Sequence, residues 1–114
     1  MIYLASPYSH RSPTLRQWRY ERVVEEAALL MMEGGEPVFS PIAHSHPMTV
    51  FGLGVTWGVW QEMDRAILGV CRALYVLQLP GWDESHGIAA EIAEAQRLGL
   101  PVEMREPFRD LWSA

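Results

Sequence analysis

The segment ALYVLQLPGWDESHGIAAEIAEAQRLGLPVEM, residues 73–104, decides the architecture of this chain. ALYVLQL (73–79) is the clearest strand in the sequence, short, apolar and ended by Pro80-Gly81. Residues 85–98 carry apolar side chains at helical spacing and are closed by Gly99, the residue type that most readily turns left-handed past a helix end. PVEM (101–104) then reads as another short strand. Strand, helix and strand in so short a span make a crossover unit, in which the two strands run parallel.

The same alternation continues outward from this unit. IYLA (2–5) is an apolar strand broken off by the prolines and serines of SPYSHRSP. From Thr14 the pattern is helical, with Val24, Ala27, Ala28 and Met31 as the expected inward stripe and Gly34-Gly35 as the stop. PVFSP (37–41) is a brief strand. The segment IAHSHPMTVFGLGVT is expected to be irregular, being rich in Pro, Gly and His, and loops of that length in compact domains tend to carry function. A further helix is expected from about Trp57 to Cys71, and PFRDLWSA as a terminal helical turn. Helices alternating with short apolar strands predict one α/β domain over residues 1–114 with a parallel sheet. In such sheets ligands bind beyond the carboxyl ends of the strands, where SPYSH, SPIAHSHP and LPGWDESHG fall.

Composition narrows the partners. A net charge of -5 offers no positive field for a nucleic-acid polymer or an anionic membrane. A small anion remains possible, because one helix N-terminus and a few arginines suffice to hold it. The single cysteine, Cys71, leaves no internal disulfide and reads as a small buried hydrophobe. The start MIYLASPYS has neither the basic nor the apolar region of a signal peptide, and no apolar run reaches membrane-spanning length, so a cytoplasmic location is expected. Five tryptophans in so small a chain point to a pocket or a subunit interface.

Two acids stand where apolar residues belong. At about 100° per residue, Ile88, Ile92, Ala95 and Leu98 share one arc, and Glu91 projects into it. On the preceding helix Trp60, Met63, Ile67, Val70 and Cys71 share a face with Asp64 in its middle. A carboxylate buried without partners costs several kcal/mol or shifts its pKa upward. The helix dipole alone is a structural explanation for Glu91, but it does not account for both acids. Paired carboxyls in an aromatic-lined cleft suit glycosidic chemistry, one as nucleophile on an anomeric carbon and the other handling the leaving group's proton. Trp57, Trp60 and Phe51 are candidates for a stacking wall.

IYLASPYS, SPIAHSHP, the helix bearing Asp64 and LPGWDESHGIAAEIAEAQRLGLPV together resemble the nucleoside 2-deoxyribosyltransferase superfamily, closest to a branch of short bacterial and phage proteins. The most specific element is S-x-G-x-x-x-E on a helix start, followed by G-x-P-V. The resemblance implies a three-layer, flavodoxin-like (Rossmann-like) fold with four to five parallel strands; no cofactor or metal is expected. It implies a nucleophile at Glu91 forming a glycosyl-enzyme intermediate, an acid near the leaving base at Asp64 and an orienting Tyr3. Ser6 and Pro7 match the small substrate-binding residues after the first strand, and a homo-oligomer is implied. Six residues before the nucleophile the transferases carry an acid that holds the sugar 5′-hydroxyl. Here the residue is Ser85, as in the related deoxynucleoside 5′-monophosphate N-glycosidases, where it binds a 5′-phosphate. Ser85 with the amides of Gly87 and Ile88 suits an anion that an acid would repel.

The other candidates carry less. His44-x-His46 is a weak zinc pattern with no accompanying C-x-x-C or H-E-x-x-H, so the expected role of both histidines is hydrogen bonding to substrate. Arg11 and Arg16 either reach a phosphate or are solvated. Ser9, Ser40 and Ser45 lack a nucleophile elbow. A nucleotide-binding or sensing module that kept the pocket and lost the chemistry is the alternative to an enzyme.

Overall fold

The computed structural model describes residues 1–54 and 57–108, without the side chains of Trp57 and Val59. Four strands, β1 (Ile2–Ala5), β2 (Val38–Phe39), β3 (Ala73–Leu77) and β4 (Val102–Arg105), pair in parallel in the order β2-β1-β3-β4. The register sets Tyr3 beside Phe39 and Leu74, and Val76 beside Met104. This is the flavodoxin-like order over its first four strands.

Alternation along the strands builds two cores. Tyr3, Ala5, Leu74 and Val76 face one side, where α3 (Trp57–Leu68) and α4 (His86–Leu98) cover them with Leu68, Ile88 and Ala95. Leu4 and Leu77 face the other side, under Val23 and Leu30 of α1 (Pro13–Gly34) and Ile42 of α2 (Pro41–Ser45). Helices on both faces of a sheet buried on both sides make a three-layer α/β/α domain.

Three expectations change. The inward stripe of α1 is Arg19, Val23, Glu26 and Leu30, whereas Val24, Ala28 and Met31 are exposed. Two members of the true stripe are charged, so counting apolar residues finds the neighbouring one. Glu26 is satisfied by Arg105 Nε at 2.9 Å and by the amide of Phe108, tying α1 to β4. The segment after Phe39 is not irregular throughout. Ser40 Oγ accepts from Ala43 N at 3.1 Å and Pro41 opens α2, which runs into a 3₁₀ turn over His46–Phe51. Finally α3 stops at Leu68, which leaves Val70 73% exposed. Residues 109–114 of the expected terminal turn lie outside the described residues.

Candidate active site

Each loop at the carboxyl ends of β1, β2 and β3 contributes to one cavity of about 360 Å³. Ser6 to His10 line it from β1, Pro41 to His46 in part from β2, and Gly81 with Glu84 to Gly87 from β3. Trp60, Asp64 and Glu91 close it from the helices.

Behind the cavity wall the hydroxyl of Tyr3, wholly buried in the sheet and not among the lining residues, donates to Glu91 Oε2. Glu91 is 5% exposed, on the inward face of α4 predicted from its spacing with Ile88 and Ala95. Asp64 is 3% exposed on the inward face of α3, and its Oδ1 has no hydrogen-bond partner among the described residues. Burial pushes the Asp64 carboxyl up to about 7. Burial likewise pushes Glu91 up to about 8, opposed by the Tyr3 hydrogen bond and reinforced by the charge of Asp64. The Tyr3 hydroxyl is raised by burial and by both acids, so it remains a donor. The two acids thus differ in one respect: Glu91 has a donor built for its charged form, and Asp64 has none among the described residues.

Ser85 ends the turn that begins at Pro80-Gly81 and caps α4, its Oγ accepting from Ile88 N at 3.2 Å. The same hydroxyl keeps its proton to donate. Ser6 Oγ is buried in the cavity wall with no partner among the described residues. Pro7, Trp60 and Gly87 line the cavity as well.

The two histidines separate. His46 is in the wall, its ring stacked on Tyr20, with Nδ1 2.6 Å from the Tyr8 hydroxyl and Nε2 2.8 Å from Gln17 Oε1. Both ring nitrogens are therefore occupied within the protein. His44 is exposed, lies against Phe39 and is not among the lining residues. Phe51 is 92% exposed and does not form a wall. Neither Arg11 nor Arg16 lines the cavity, and Arg16 donates to the His10 carbonyl. Among the described residues no three of His, Cys, Asp and Glu converge as metal ligands, and no helix is long and apolar enough to cross a membrane.

Sequence reasoning missed Arg19. It lines the cavity, 7% exposed, with Nη1 donating to the carbonyls of Tyr8 and Ser9 at 3.3 Å and Nη2 to that of Pro80 at 3.2 Å. The signal was its place in the stripe 19, 23, 26, 30, which steps by helical turns.

Residues 1–106 match the model of a family described as a domain of unknown function, DUF1937. The chain belongs to this family. Among solved structures, this DUF1937 domain is similar to a 2-deoxyribosyltransferase from the psychrotolerant bacterium Bacillus psychrosaccharolyticus. The TM-score is 0.64 at 24% identity, covering 98% of this chain and 76% of the other. At that identity the likeness establishes a shared fold for the DUF1937 domain. The solved relative is described as a biocatalyst for the synthesis of antiviral and antitumoral nucleosides. A search of curated proteins returned no match.

Proposed function

We propose that this chain cleaves or transfers the N-glycosidic bond of a deoxynucleoside, a nucleoside or a 5′-monophosphate of either. The observation that carries the reading is the Tyr3 hydroxyl aimed at Glu91 in a cavity shared with Asp64. In this scheme Glu91 attacks the anomeric carbon as a carboxylate, and the bond from that carbon to the base nitrogen breaks. Asp64 gives its proton to the departing base. The resulting ester of Glu91 with the sugar is then opened by water, giving hydrolysis, or by a second base, giving transfer; Asp64, now a carboxylate, takes the proton of the attacking group and Glu91 leaves as a carboxylate. Trp60 supplies an aromatic surface for the base. Ser6, whose hydroxyl has no partner among the described residues, and Pro7 border the sugar. His46 acts through Tyr8, whose hydroxyl it holds. The reading includes a cytoplasmic homo-oligomer, for which the exposed Val50 and Phe51 offer apolar surface.

Incubation with a panel of deoxynucleosides, nucleosides and their 5′-monophosphates, with free base followed by chromatography, tests the scheme. Base release is expected from at least one member. Survival of every substrate, with some still raising the melting temperature, would instead establish a binding or sensing module.

Tyr3→Phe gives a sharper result. Removing the donor destabilises the ionised form of Glu91, so its pKa rises further. Because Glu91 titrates above Asp64, the upper limb of the pH profile should move to higher pH, and base release at neutral pH should fall about ten- to a hundred-fold, the range for a hydrogen bond to a charged group. An unmoved limb would show that the hydroxyl does not tune Glu91.

A further inference from the structure

We propose that Arg19 is the anion-recognising group of this cavity, selecting substrates that carry a phosphate monoester on the sugar rather than neutral ones. The inference rests on the glycosidic reading above and adds the substrate class to it.

Arg19 carries an uncompensated charge. Buried cations in folded proteins are paired, because desolvating one alone costs several kcal/mol. Arg19 is buried in the cavity wall, yet among the described residues no carboxylate lies within ion-pair distance of it. Its three carbonyl partners supply dipoles and no counter-charge, and its Nε has no partner among the described residues. The missing negative charge is then supplied by the ligand.

Gly81 makes room for this arrangement. Its φ of 93° is left-handed, and a Cβ there would lie 2.6 Å from Arg19 Nη2. The same cavity is lined by the start of α4, with the Ser85 hydroxyl free to donate, and by the Ser6 hydroxyl, which has no partner among the described residues. A helix start, two hydroxyls and a guanidinium form a donor set for phosphate oxygens. Glu84 also lines the cavity, but as an exposed carboxylate screened by solvent. Glu91 lies six residues beyond Ser85, roughly 9 Å along the helix. A sugar between the two presents its phosphate to Arg19 and its anomeric carbon to Glu91.

The test uses 2-deoxyribose 5-phosphate and 2-deoxyribose, compared by calorimetric titration of the full chain. Neither has a base to lose, so binding is read independently of glycosidic cleavage. The wild type is expected to favour the sugar phosphate by about ten- to a hundred-fold. Arg19→Gln should abolish the preference and Arg19→Lys should keep part of it, with circular dichroism reporting that each is folded. Equal affinities in the wild type, or a preference that survives in folded Arg19→Gln, would overturn the proposal. Should Arg19→Gln fail to fold, the wild-type comparison and Arg19→Lys decide. Base release without phosphate preference defeats only the anion site, and phosphate preference without base release defeats only the reaction.

Discussion

Replacing Glu91 with Gln should abolish base release, lowering it by at least about a thousand-fold while the fold persists. Gln keeps the volume of the side chain and its amide oxygen still accepts from Tyr3, so the packing against Ile88 and Ala95 is retained. What is lost is a carboxylate able to bond to the anomeric carbon. Loss of a general acid leaves a reduced reaction, whereas loss of the nucleophile removes the route itself. Mass spectrometry of the wild type mixed with a slow substrate should find the sugar esterified to Glu91. Turnover within about ten-fold of wild type in Glu91→Gln would sink the assignment, because a positioning residue costs about that much.

Glu91 and Asp64 were legible from sequence for the same reason. Each interrupts an apolar stripe whose period is clear, and the structure buries both on those stripes. The order of strands and helices was legible too, since a short apolar strand between helices has few places to go. Arg19 was not, because a charged residue on a helix is read as solvent-facing unless its tertiary partners are known. Those partners, the carbonyls of Tyr8, Ser9 and Pro80, come from loops distant in sequence. The H-x-H pair misled in another way. Read in a loop, both histidines were available to a ligand. In a helix, residues two apart point about 200° from each other, so the chain that turns helical at Pro41 delivers His46 to the cavity and His44 to solvent. The Ser40-Pro41 start signal was present and was outweighed by the Gly and Pro content downstream.

Asp64→Asn should move activity and stability in opposite directions. Asn occupies the same volume and keeps a polar contact to a base, but it has no proton to give. Base release should fall by about a hundred- to ten-thousand-fold, the usual contribution of a general acid. The loss should be smallest for a base that already carries positive charge, such as a 7-methylpurine, because its departure needs no proton. In the wild type the rate should be bell-shaped in pH, with limbs near about 7 and about 8 that belong to the carboxyl pair jointly. Asp64→Asn should flatten the limb on which the acid loses its proton. Stability follows from the same burial. The carboxyl titrates near 3.8 when solvated and is raised to about 7 here, so between these values the folded state holds a proton that the unfolded state has released. Wild-type stability therefore falls as pH rises through that window, and the full cost is present above it. Asn has no charge to bury, so the variant should melt higher than wild type at about pH 8, by up to about 4 kcal/mol in unfolding free energy, and should lose this advantage towards about pH 4. A variant that is slower and no more stable at high pH would remove burial of the charge as the source of the acid's raised pKa. One that is more stable and equally active would remove Asp64 from the chemistry.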